Sequence, residues 1–151
     1  MRARRRTTIR EDLIKGAIAG AVATWLMGKV TGARYARGGS EVADKAAMVL
    51  GTRLGDEQRE RLAAALHWAL GIGAGAAYAL LRRRFSALGR GSSLGVGTAF
   101  WAAVDEGLVP ALGLTPGPKA FPWQAHARGL AGHLTFGTVT DRTLRLLDAI
   151  V

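Results

Sequence analysis

LAAALHWALGIGAGAAYALL, residues Leu62 to Leu81, runs for twenty positions without a formal charge. As an α-helix it would be about 30 Å long, the thickness of a bilayer's hydrocarbon core. The residues around it set the frame for the rest of the chain. Arg82, Arg83 and Arg84 close the stretch on one side, and the charged loop ending in Arg61 closes it on the other. An apolar span capped by a basic cluster is the pattern that fixes orientation across a membrane.

Working outward, Leu13 to Val30 forms a second candidate, with thirteen uncharged residues between Lys15 and Lys29. Lysines near helix ends can extend to the headgroups. Ser92 to Leu112 makes a third span interrupted by Asp105 and Glu106, and Pro122 to Val139 a fourth carrying His126, Arg128 and His133. The last two require their polar groups to face protein.

Four spans (13–30, 62–81, 92–112 and 122–139) put the N-terminal arginines, the Arg82 to Arg90 linker and the tail with Arg142 and Arg145 on one side, which should be cytoplasmic. The first loop, 31–61, then lies outside the cytoplasm, with six basic and five acidic residues. Within it Ser40 is expected to cap a short helix from Glu41 to Leu50 that stops at Gly51, and Asp56 to cap the helix entering the second span. Pro122 suits the first turn of the last helix and Trp123 an interfacial anchor. Glu11, Asp12 and Lys15 ahead of the first apolar stretch argue against a cleaved signal peptide.

Composition agrees with a membrane reading. The 151 residues are 49% hydrophobic with 21 further glycines and no cysteine. Disulfides, thiolate metal sites and iron–sulfur clusters are thereby excluded. A net charge of +10 invites nucleic acid, but the arginines gather beside apolar spans without interleaved aromatic platforms. The expected partner is therefore the lipid bilayer, with a homo-oligomer in second place and no nucleic acid.

Helices in lipid gain little from burying leucine against leucine, so close packing falls to small residues. Each segment carries them four apart: Gly16, Gly20, Thr24, Gly28 and Gly32; Ala63, His67, Gly71, Gly75 and Ala79; Gly91, Gly95, Ala99, Ala103 and Gly107; Ala125, Gly129, His133, Gly137 and Asp141. His67 to Gly71 and His133 to Gly137 also match without gaps into Tyr78 and Leu144, as a duplicated helix pair would.

The ionisable residues at membrane depth are His67, Asp105, Glu106, His126, Arg128 and His133, and burial there is costly unless a partner compensates. Pro110 cannot donate to the carbonyl of Glu106, so a helix break is expected beside the two carboxylates, the arrangement by which discontinuous helices hold protons or cations. His126 and His133 share a helix face about 10.5 Å apart, in two layers. The bland alternatives are interhelical hydrogen bonds for His67 and His133, an interfacial position for the carboxylates, and a solvated helix end for Asp141 beside Arg142 and Arg145.

The run Asp105-Glu106-x-x-x-Pro110-x-Leu112-Gly113-Leu114, then His126 and Gly132-His133-Leu134-x-Phe136-Gly137, preceded by His67-x-x-x-Gly71-x-x-x-Gly75-x-x-Tyr78, resembles the YagU-like family of small bacterial inner-membrane proteins. The resemblance extends from Val42 to Leu146. Phe136 stands where the pattern favours tyrosine, and Asp141 where it favours glutamate. It implies a multi-pass inner-membrane protein and supplies no mechanism.

The expected fold is thus an all-α, four-helix transmembrane bundle, with a short helix in the first outer loop. Its working chemistry is a proton or cation bound at Asp105 and Glu106, with His67, His126 and His133 as partners. An intramembrane metal or haem enzyme using histidines from the second and fourth spans is the alternative with a cofactor. A scaffold without internal chemistry is the third.

Overall fold

The computed structural model describes residues 8–32, 39–49, 51–89 and 93–150. Among them every regular element is helical. Helix α1 covers Ile9–Thr31, α2 Gly39–Val49, α3 Asp56–Arg84 and α4 Ser93–Trp101. The α4 helix continues into a π-helical stretch, Ala102–Leu108, and a last turn α5, Val109–Ala111; α6 then covers Trp123–Ile150.

The ends of these helices have local causes. Thr8 and Glu11 form a reciprocal capping box: the Thr8 hydroxyl accepts from the Glu11 amide at 3.1 Å and the Thr8 amide donates to the Glu11 carboxylate at 2.7 Å. After α2, Gly51 adopts φ +67° while its amide donates to Met48 and the Thr52 amide to Ala47. Gly113 at φ +64° repeats the pattern after α5, with its amide on Pro110 and that of Leu114 on Val109. Both are Schellman stops, which need a left-handed residue. Three starts differ from expectation: α2 begins at Gly39, two positions ahead of the expected Glu41, while α3 and α6 differ by one, with Asp56 the first residue of α3 behind a Gly55 cap and Pro122 just before α6. At Gly55 the Gln58 side chain accepts the cap amide, so the acidic cap is not required.

Packing follows the small residues. Helix α1 lies between α3 and α6, and α6 lies between α1 and α4. A Cβ on Gly16 would stand 2.6 Å from the Ala76 Cα, one on Gly20 would strike the Gly71 carbonyl, and one on Gly71 would overlap the Thr24 hydroxyl. Gly132 meets Met27 and Thr31 of α1, and Gly97 and Gly137 bring α4 and α6 together backbone to backbone. Gly95 and Gly28 face open space, so on α4 the close face is that of Gly97 rather than Gly95. Gly91 lies outside the described residues.

Most of the buried apolar side chains are alanines, with Tyr78, Phe136 and Leu144 beside them, and many large apolar side chains lie on the outside. Ala19, Ala23, Ala43, Ala47 and Ala79 are buried, whereas Ile14, Ile18, Trp25, Leu70 and Leu94 are about half exposed or more. Two helices are long and apolar enough to cross a membrane: α1, 23 residues with a mean hydropathy of 1.3 in its most apolar window, and α3, 29 residues with 1.4. The other two expected spans are helical but differ in kind. The third is continuous but changes to π-helical geometry over Ala102–Leu108, and the fourth carries His126, Arg128, His133 and Asp141 within α6.

Candidate functional site

Pro110 was expected to break the third helix. The ladder instead widens: the Val109 amide donates to Val104, five residues back, and normal i to i−4 bonding resumes with Leu112 on Leu108. One extra residue per turn lets the chain pass the proline ring without interrupting the helix. Asp105 and Glu106 sit inside this stretch, both partly buried.

Each carboxylate meets a histidine of α6. The Glu106 carboxylate lies 2.8 Å from His126 Nδ1, and His126 Nε2 lies 3.1 Å from the Pro118 carbonyl. Both ring nitrogens therefore face acceptors. Both hydrogen bonds can form only if the ring carries two protons beside a charged Glu106, or if Glu106 itself brings the proton to Nδ1. In either state Nε2–H stays on the Pro118 carbonyl, and the second proton lies between Glu106 and His126.

One layer deeper, His133 is 5% exposed. Its Nδ1 donates to the Gly129 carbonyl at 3.0 Å, and Asp105 stands 3.7 Å from the same nitrogen, too far for a hydrogen bond. Phe100 meets the His133 ring edge to face at 5.2 Å. Gly129 leaves room here, since a Cβ on it would stand 3.1 Å from Trp101 Nε1 and 3.3 Å from Asp105 Oδ2. The Trp101 indole N–H is buried and has no acceptor among the described residues.

His67 on α3 is within electrostatic reach of His133 and Asp105 without a hydrogen bond to either among the described residues. The single expected cluster is therefore two pairs, Glu106–His126 and Asp105–His133, with His67 near the deeper one. Among the described residues no three His, Asp or Glu side chains gather closely enough to hold a metal ion.

A second polar assembly was not anticipated. Asp141, read from its neighbours as a solvated helix end, is 3% exposed. It accepts from Arg145 Nε at 2.9 Å, lies 3.7 Å from Arg82 Nη1, and shares the Tyr78 hydroxyl (3.1 Å) with the Leu88 carbonyl (2.8 Å). Asp148 takes Arg82 at 2.9 Å and Lys15 at 3.3 Å, and Arg83 reaches Asp12 at 2.8 Å. Lys15, expected to extend toward headgroups, is 7% exposed because Asp148 on α6 receives it inside the bundle. The signal was present in the spacing: Asp141 stands four residues after Gly137 on the small-residue ridge that faces inward.

The family model described as "Protein of unknown function (DUF1440)" matches residues 46–142, more than half of the chain, and includes both carboxylate–histidine pairs. This is consistent with the resemblance to YagU-like proteins. Neither the curated proteins nor the solved structures gave a match.

Proposed function

The chain belongs to the DUF1440 family, and on that premise we propose that it is a bacterial inner-membrane protein of four spans, both termini cytoplasmic, which binds or relays a proton or cation through Asp105, Glu106 and their histidines. Immersion is supported by the two long apolar helices and by the many large apolar side chains on the outside, among them Ile14, Ile18, Trp25, Leu70 and Leu94, while alanines make up most of the buried apolar residues. The orientation is supported by the arginines, since Arg82, Arg83, Arg84, Arg142 and Arg145 collect at one end of the helices.

The observation that carries the chemistry is the 2.8 Å contact of Glu106 with His126. A proton entering from the outer end can reside on either group while the Pro118 carbonyl holds the ring in place. Asp105 and His133 then provide the next station inward, and His67 adds a third imidazole at that depth. Within the Glu106–His126 pair one proton moves between a carboxylate oxygen and a ring nitrogen, so that pair stays near neutrality in a medium that penalises isolated charge. Passage to the deeper pair requires Asp105 to close its 3.7 Å gap to His133.

Reconstituted protein in vesicles with an imposed pH gradient tests this. Glu106→Gln is expected to lower proton or cation flux at least tenfold and to remove a pH-dependent carboxyl stretch from the infrared spectrum; Asp105→Asn should slow flux similarly. Flux and spectrum unchanged in both variants would reject a charge-handling role.

A further inference from the structure

At the arginine-rich end, a surface cleft of about 480 Å³ opens between the start of α4 and the last third of α6, lined by Ser93, Leu94, Thr138, Asp141, Arg142 and Arg145. It is remote from Glu106 and His126, which lie near the opposite end of α6. We propose that this cleft binds the phosphate of an anionic phospholipid headgroup. The inference goes beyond proton handling, and only its choice of a lipid as the source of phosphate rests on the membrane reading.

The donors are of the right kind. Arg142 is exposed and has no ion-pair or hydrogen-bond partner among the described residues, so its guanidinium fork is available. Arg145 donates only its Nε to Asp141 among the described residues, which leaves the other face of its guanidinium for a second phosphate oxygen. Two arginines three positions apart on a helix are neighbours on its surface and can close on one anion from two sides. The hydroxyls of Ser93 and Thr138 add neutral donors along the wall.

Asp141 also lines the cleft, and a bare carboxylate would repel phosphate. Its oxygens are occupied by Arg145 and the Tyr78 hydroxyl, with Arg82 3.7 Å away, so its charge is compensated from behind. The apolar wall is Leu94, 58% exposed, where the proposed topology sets the boundary between headgroups and acyl chains. A phosphate with an attached hydrocarbon uses both walls, whereas free phosphate uses one. Basic pockets between helices on the cytoplasmic side are a recurrent headgroup-binding arrangement.

The test uses full-length protein in neutral detergent, read by native mass spectrometry and thermal shift, with phosphatidylglycerol, phosphatidylcholine and inorganic phosphate as separate probes. Phosphatidylglycerol should bind preferentially and raise the melting temperature. Arg142→Gln should weaken its binding about tenfold, whereas Arg53→Gln, an exposed arginine at the opposite end, should leave it unchanged. Arg142→Gln removes no internal contact, so it should fold as the parent does, which its unliganded melting temperature verifies. Equal binding of the two lipids, or equal binding by the two variants, would overturn the site while leaving the membrane reading intact. Binding of inorganic phosphate at Arg142 without preference between the lipids would overturn the lipid assignment. Solubility without detergent would instead contradict the membrane reading.

Discussion

At the scale of single residues, buried charge is the dominant energetic fact. Asp141 has its carboxylate shared by Arg145, Tyr78 and, at longer range, Arg82. Removing one member of such a group strands the others, which costs more than the group contributes intact. Asp141→Ala is therefore expected to destabilise the fold by about 3 to 5 kcal/mol. Asp56→Ala, which breaks an ion pair whose carboxylate is 96% exposed, should cost less than about 1 kcal/mol. Unfolding in mixed micelles checks both, and equal values would contradict the buried network. The sequence displayed Asp141 ambiguously. Asp141 has arginines at one and four positions beyond it, the look of a solvated end, yet it also continues the Gly129, His133, Gly137 series. Spacing was the better guide because a helix presents every fourth residue to the same neighbour, and the arginine needed inside comes from α3, 59 positions earlier.

At the scale of elements, the apolar runs, the stop at Gly51 and the small-residue ridge that joins α1 to α3 were legible from local pattern, whereas the stop at Gly113 emerged only in the structure. What local pattern could not choose was the face of α4. Gly95 belongs to the small-residue series begun at Gly91, whereas Gly97 is followed four positions on by Trp101, and only the approach of α6 shows that Gly97 lies against the His133 carbonyl. This yields a paired expectation. Gly97→Ala should destabilise the bundle by about 1 to 3 kcal/mol through overpacking, whereas Gly95→Ala should be neutral or gain up to about 1 kcal/mol from helix propensity. The same melting measurement reads both, and a reversed order would place α4 on α6 by its other face. The π-helical stretch was likewise only half legible. Pro110 announced that the ladder must change near Glu106, but whether it breaks or widens depends on the contacts of Asp105 and Glu106 with α6, which lie beyond any local window.

At the scale of the whole molecule, the distribution of small and large side chains decides the environment. Glycine and alanine form the interior of the α1, α3 and α6 contacts, while Ile18, Trp25 and Leu70 face outward. In water such a surface would be a liability; in hydrocarbon it is the solvated face, and the cost of buried polar groups explains why the carboxylates and histidines are paired. The chain contains no cysteine, so single cysteines report without background. The most direct measurement is labelling of Ile18→Cys, Leu70→Cys, Ala87→Cys and Ala120→Cys by a membrane-impermeant maleimide in spheroplasts. Ala120→Cys should be labelled from outside, Ala87→Cys only after permeabilisation, and Ile18→Cys and Leu70→Cys only after denaturation. Prompt labelling of Ile18→Cys and Leu70→Cys in the native protein would contradict bilayer immersion.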